Sequence, residues 1–265
     1  MGKEFERLIK IVKKLRAPNG CPWDMRQTHH SILPFLIEET YEFFEAVDEK
    51  DNIKMKMELG DILLQVVFHA QIASEGNNFD IEDVAKAISD KLVQRHPQIF
   101  GDNIQTSSSI GLKSNWEESK KNEYGNEKRK HIVSGIPTAL PALFRAQKIQ
   151  QRIASVDFEW ENIDRIQEEF RGLKKTVKDK DILSIEDKLG NILFSIVGIA
   201  HQHKINAENA LRVVVCKYEK RFQFIEDKLK EIGKDIQTAT NEDIYVVWNE
   251  SEEISNTLVE IERND

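Results

Sequence analysis

Cysteine is nearly absent. Cys21 and Cys216 are the full complement in 265 residues, and they lie too far apart to form a metal-spaced pair. That usage points to a reduced, cytoplasmic setting. Glycine and proline are sparse, at 12 and 6. Few turns then punctuate a long chain, which argues for helices over many short strands. No run of about 18 apolar residues occurs, so no membrane span is expected. The stretch from Met1 to Lys10 is charged and amphipathic and lacks the apolar core of a signal peptide. Basic excess is also missing: the formal net charge is −8. Such a chain repels nucleic acid and anionic membrane, and it repels a free triphosphate unless cations accompany it.

What is present is helical periodicity. Phe5, Leu8, Ile9, Val12 and Leu15 recur at helical spacing and predict a helix over 4–16. Pro18-Asn19-Gly20 ends it, and Cys21-Pro22-Trp23-Asp24 reads as a tight loop. A second helix is expected from about Ile32 to Val47, with Pro34 in its first turn, where the missing N–H is not needed. A third, from about Ile53 to Ser74, carries Leu59, Ile62, Leu63, Val66, Val67 and Ala70, the pattern of a buried central helix. Asp80 and Asp83 resemble a capping box for a fourth helix from Ile81 to Arg95, which His96-Pro97 stops. Residues 101–136 are polar and weakly patterned, and read as a linker with one short helix around Trp116.

The pattern then starts again. Glu38-Glu39 returns as Glu168-Glu169, 130 residues on. At the same offset Leu59-Gly60-x-Ile62-Leu63 returns as Leu189-Gly190-x-Ile192-Leu193, and Val67 and Ala70 return as Val197 and Ala200. Further on, and with a small change of length, Lys91 and Arg95 pair with Lys217 and Arg221, and Trp116 with Trp248. Matches in one order at one offset indicate an internal duplication. The expected architecture is all-α: a module over 1–100, a linker over 101–136 and a second module over 137–265, with four core helices in each.

The chemistry-bearing residues sit on helices two and three of the first module. Glu39 and Glu42 are three apart, as are Glu58 and Asp61. Three residues is about 300° of helical turn, so each pair shares a face with Cβ atoms about 5–6 Å apart. If the two faces meet, four carboxylates converge. Two like charges about 4 Å apart repel by about 4 kcal/mol at an effective dielectric near 20. A divalent cation reverses that sign. Carboxylate oxygens suit Mg²⁺ (or Mn²⁺), which retains waters and binds substrate phosphates. Glu38, turned by about 100°, is placed to orient or deprotonate a water as general base. The competing reading is a solvated acidic face, the ordinary fate of a lone Glu-x-x-Glu. Against it stand the apolar setting of Glu58 and Asp61, where charges need partners, and Gly60 between them, which permits close backbone approach.

These residues resemble the MazG family. The resemblance is carried by Glu38-Glu39-x-x-Glu42, by Glu58-Leu59-Gly60-Asp61 with the apolar run after it, by Gly20-Cys21-Pro22-Trp23-Asp24 leading to Gln27-Thr28, and by Lys91-Leu92-x-x-Arg95-His96-Pro97. It spans almost the whole chain. It implies an all-α nucleoside triphosphate pyrophosphohydrolase that cleaves between the α- and β-phosphates, giving a nucleoside monophosphate and pyrophosphate. It also implies Mg²⁺, an intertwined homodimer, broad base tolerance and a role in sanitising the nucleotide pool. Carried over, the metal ligands are Glu39, Glu42, Glu58 and Asp61. Lys91 and Arg95 become a phosphate clamp, with a solvated basic face as the alternative. Trp116 becomes a base-stacking ring, with a packing aromatic as the alternative. Trp23 reads as structural, and His29 and His30 as surface or capping residues.

The second copy departs from the pattern. Glu169 is retained, but Glu42, Glu58 and Asp61 are replaced by Gly172, Lys188 and Asn191. A lysine repels the ion whose ligand it replaces, so no catalytic metal is expected there. Glu169, Lys217, Arg221 and Trp248 remain as a degenerate nucleotide site or as support for the dimer. In some two-copy members of the family the second copy is the catalytic one, whereas here the first holds the complete ligand set. The alternative function is a catalytically weak, nucleotide-binding or regulatory protein of the same fold.

Overall fold

The computed structural model describes residues 2–100, 131–156 and 163–251. Among them there is no strand. The chain divides into two compact units, Met1–Glu127 and Lys128–Asp265, so the division falls inside the polar stretch. Trp116 lies outside the described residues.

In the first unit α1 spans Lys3–Arg16, α2 Pro22–Met25, α3 His29–Asp48, α4 Asn52–Glu75, α5 Ile81–Arg95 and α6 Pro97–Phe100. The supposed loop at Cys21-Pro22-Trp23-Asp24 is one helical turn begun by Pro22. Gly20 is dictated by the approach to it: a Cβ there would lie 2.1 Å from the Leu15 carbonyl oxygen. Helix α3 begins three residues before the predicted start. The Thr28 hydroxyl accepts from the Ser31 N–H while the Ser31 hydroxyl accepts from the Thr28 N–H, a capping box read over in the sequence. Pro34 is therefore inside the helix, not in its first turn. The Asp80–Asp83 box at the start of α5 forms as expected.

Helices α3 and α4 form an antiparallel hairpin, and α1 packs on α4. The core gathers at one end of that hairpin, where Val12, Ile32, Val67 and Phe68 are buried among Leu8, Ile9, Phe35, Leu64, Ile72 and Ile81. Burial of these side chains supplies the main drive for the unit, about 1.5–3 kcal/mol for each large residue. The expectation that α4 is buried throughout needs correction. Its buried residues are Gln65, Val67, Phe68, Ala70 and Ala73, all in its second half. In its first half Met57, Leu59 and Leu63 are exposed among the described residues, while α3 packs along the helix. Gly60 is corrected too: among the described residues nothing lies within 4 Å of a Cβ built there, so none of their backbone approaches it.

In the second unit α7 spans Ala142–Ala154, α8 Ile163–Asp179, α9 Ile182–Gln202 and α10 Ala207–Glu231, followed by α11 over 241–251. The described residues thus hold five helices where four were expected. The Val213–Val215 run lies inside α10. Ile225, Leu229 and Val247 form a buried cluster with Phe224, Ile236, Ile244 and Trp248 around it. Polar side chains also tie α7 down: Gln150 donates to the Phe194 carbonyl at 2.7 Å and Gln147 to the Ile205 carbonyl at 2.7 Å. Such buried amides cost stability unless bonded, so these bonds select one docking of α7.

The two hairpins turn in the same way. Lys50 and Lys180 both adopt left-handed backbone, with φ of 54° and 56°. Asp51 caps α4 by accepting from the Ile53 and Lys54 N–H groups, and Asp181 caps α9 by accepting from the Ser184 N–H. The Asp51 and Asp181 N–H groups donate to Ala46 and Thr176 carbonyls. Each pair is separated by the 130 residues that relate the sequence motifs.

Candidate metal and phosphate site

Partway along the α3–α4 hairpin, between the core and the turn, Glu39 from α3 meets Glu58 and Asp61 from α4. One carboxylate oxygen from each lies within 4.8 Å of the others. Helical spacing creates this: Glu58 and Asp61 are three apart on one face of α4, and the capped turn at Lys50-Asp51 brings α3 back against that face. Three of the four predicted ligands are thus brought together. Glu42 borders them, and its charge acts on both Glu39 and Glu58. The setting is more open than the apolar reading of α4 implied. Glu39 and Glu58 are half-buried, while Glu38, Glu42 and Asp61 are exposed.

Electrostatics show what the cluster lacks. Partial burial, then the Asp61, Glu42, Glu58 and Glu38 carboxylates, push Glu39 above the ordinary carboxylate range. Glu58 is raised by partial burial first and then by Glu42 and Asp61. Lys54 opposes that shift on Glu58, but its ammonium is drawn to Glu49 at 3.2 Å and Glu45 at 3.5 Å. Uncompensated negative charge on convergent hard oxygens fits a divalent cation such as Mg²⁺. Lys91, on α5, is half-buried. It lines a shallow cleft with Phe79, Asp83, Val84, Ala87 and Ile88, none of which is a predicted metal ligand. Arg95, one turn further along α5, is half-buried.

Two supporting residues were missed in the sequence. The Arg16 side chain is 5 % exposed and pairs with both oxygens of Glu75, at 2.8 and 2.7 Å. It also donates to the Asp24 and Gln27 carbonyls at 2.6 and 3.1 Å and lies 5.3 Å from the Phe68 ring centre. It therefore holds the Gly20–Asp24 segment, and the start of α3, against α4. His29, read as a surface or capping residue, meets His69 of α4, with Nδ1 atoms 2.8 Å apart. The rings are within 6° of parallel and their centroids are 5.1 Å apart, the geometry of an in-plane N–H···N bond. Burial, then His29, holds His69 below the ordinary histidine range. Neither residue belongs to a helix-periodic or acidic motif, so no local signal marked them. Trp23, read as structural, packs edge-on against Phe35.

In the second unit the corresponding residues face one another differently. Lys188 reaches Glu169 at 2.9 Å. The Asn191 amide donates to Asp187 on its own helix at 3.2 Å. Arg221, 7 % exposed, lies 3.8 Å from the Trp248 ring centre and donates to the Trp248 carbonyl and the Ser251 hydroxyl, each at 3.1 Å. Tyr218 and Phe222 flank the same indole.

A helical hairpin that gathers acidic side chains from both of its arms defines an all-α protein with a candidate divalent-metal centre. Comparison with known proteins gives it a family. Residues 27–100 match the MazG nucleotide pyrophosphohydrolase domain, a span containing the four acidic residues together with Lys91 and Arg95. The chain is 42 % identical over 248 residues to the nucleoside triphosphate pyrophosphohydrolase/pyrophosphatase MazG of Thermotoga maritima, covering 92 % of this chain and 94 % of that protein. It is 38 % identical over 252 residues to the nucleoside triphosphate pyrophosphohydrolase of Escherichia coli, covering 92 % and 95 %. It is also 40 % identical over 255 residues to YabN of Bacillus subtilis, covering 94 % of this chain and 52 % of that longer protein. The chain belongs to the MazG nucleotide pyrophosphohydrolase family.

Proposed function

We propose that this protein hydrolyses ribo- or deoxyribonucleoside triphosphates to nucleoside monophosphate and pyrophosphate, through the first unit and with Mg²⁺. The observation that carries the reading is the convergence of Glu39, Glu58 and Asp61 within 4.8 Å in a chain of this family. Glu39, Glu42, Glu58 and Asp61 would hold the cation, or Mn²⁺ in its place. When bound, it neutralises phosphate charge and acidifies a coordinated water. Glu38, exposed beside the cluster, takes the proton from the attacking water as the α–β anhydride bond breaks and pyrophosphate leaves with the bonding electrons. Lys91 and Arg95 clamp phosphate oxygens, and Trp116 stacks on the base. Removal of aberrant triphosphates from the cytoplasmic nucleotide pool is the role this chemistry serves.

We take the second unit to be a copy of the first, supported by the shared hairpin turn and Asp caps. Its Glu169, Lys217, Arg221 and Trp248 are the remnant of a nucleotide site. A homodimer is part of the proposal. Ile37, Tyr41 and Phe44 of α3 and Ile53, Met57, Leu59 and Leu63 of α4 are exposed apolar side chains on the two helices that carry the acidic cluster. A row of this kind is the usual mark of a protein interface.

The test is pyrophosphate and monophosphate release from a panel of nucleoside triphosphates with Mg²⁺, comparing wild type with Asp61→Asn. Metal-dependent release that Asp61→Asn abolishes supports the reading. No release from any triphosphate overturns it in favour of a nucleotide-binding or regulatory role. Full activity in Asp61→Asn overturns the assignment to the first unit.

A further inference from the structure

We infer that the Lys188 ammonium is the resident cation of the second unit, standing where the first unit takes a divalent ion, so that the second unit neither needs nor binds a metal. The inference rests on the reading of the second unit as a copy of the first. At the common offset Glu169, Gly172, Lys188 and Asn191 stand for Glu39, Glu42, Glu58 and Asp61.

The geometry shows these substitutions as one coupled change. Lys188 extends from α9 to the facing helix α8 and places its ammonium 2.9 Å from the Glu169 carboxylate. The pair is well covered, with side chains 33 % and 16 % exposed. The lysine stem lies over Gly172: a Cβ built there would be 3.3 Å from Lys188 Cε, 3.6 Å from Cδ and 3.7 Å from Nζ. Loss of the Glu42 counterpart therefore opens the space that the lysine stem fills. A longer side chain at 172 would displace the stem. Asn191 is turned to Asp187 of its own helix and offers nothing to a shared ion.

Charge completes the argument. At the four aligned positions the first unit has four carboxylates, whereas the second has one carboxylate and one ammonium. The first cluster calls for an external cation, whereas the Glu169–Lys188 pair is neutral by itself. An ammonium is a point charge with three donors and no Lewis acidity, so it satisfies Glu169 without acidifying a coordinated water as a divalent ion does. The metal response of the whole chain is thereby confined to the first unit.

Two measurements on the whole 265-residue chain test this. The first is a double-mutant cycle of Lys188→Met and Glu169→Gln, read by thermal unfolding in chelator. Lys188→Met alone should lower the melting temperature by several degrees, because it strands a covered carboxylate, and the double variant should recover most of the loss. Additive losses would overturn the inference. The second is Mn²⁺ binding followed by electron paramagnetic resonance in Glu39→Gln/Asp61→Asn. Absence of tight sites there supports the inference, and a tight site that Glu169→Gln removes overturns it. The cycle needs neither activity nor metal, so its outcome is separate from that of the turnover assay.

Discussion

Replacing Arg16 by Met should destabilise the first unit by about 3–4 kcal/mol. The figure follows from its surroundings. The side chain is 5 % exposed, and two of its bonds go to the backbone carbonyls of Asp24 and Gln27. Hydrogen bonds from a charged donor contribute about 1.5–3 kcal/mol each, which at the low end gives about 3 kcal/mol for the two carbonyls. The Glu75 carboxylate is 39 % exposed, so solvent screening holds its share to about 1 kcal/mol. Methionine keeps much of the packing against Phe68, which isolates the polar loss. Glu75→Gln should therefore cost only about 1 kcal/mol. Urea unfolding at neutral pH reads both values. The Arg16 bonds, ahead of that from Gln71, hold Glu75 below the ordinary carboxylate range. The ion pair's contribution is then fully present above the unfolded carboxylate's pKa and is lost as pH falls through the lower folded value. The gap between wild type and Glu75→Gln should close over that acid window. A loss below about 1 kcal/mol in Arg16→Met, or equal losses in the two variants, would refute the reasoning.

Other outcomes are expected. Glu39 and Glu58 are raised, so in chelator the first unit should lose stability as pH rises from the unfolded carboxylate range through their higher folded values. Mg²⁺ should stabilise it increasingly over the same window, by about 2.7 kcal/mol at one hundred times its dissociation constant. Melting curves from pH 4 to pH 8, with and without metal, measure both trends, and a metal effect independent of pH would contradict them. Gly20→Ala should be strongly destabilising, because its Cβ meets backbone at 2.1 Å. Gly60→Ala, with nothing within 4 Å, should stabilise the isolated subunit by about 0.5–1 kcal/mol through helix propensity. Urea midpoints compare the two glycines, and a loss of activity in a stabilised Gly60→Ala would locate a partner or substrate against that face. Thr28→Ala should cost about 1 kcal/mol through loss of the α3 cap, seen as a lower unfolding midpoint at unchanged slope.

Much was determined by the sequence alone. Periodicity and punctuation placed α1, α4 and α5 to within a residue, because each carries an apolar stripe and an evident start or stop. The spacing of Glu58 and Asp61 gave the face of α4 that meets Glu39, since helical geometry converts spacing into direction. The shared offset of 130 residues relates motifs of the two halves, and the left-handed turns at Lys50 and Lys180 keep it. Tertiary structure decided what depends on pairing between distant segments. Arg16 meets Glu75 and His29 meets His69 across 59 and 40 residues, and no local rule anticipates such pairs. The early start of α3 turned on a Thr–Ser box in place of the usual acidic partner. The apolar first half of α4 read as core, yet Met57, Leu59 and Leu63 are exposed among the described residues, because hydrophobicity records a need for burial without naming the surface that meets it. The charge reversal at Lys188 was legible from sequence. That its stem fills the space above Gly172 and its ammonium answers Glu169 was decided only when α8 and α9 were packed together.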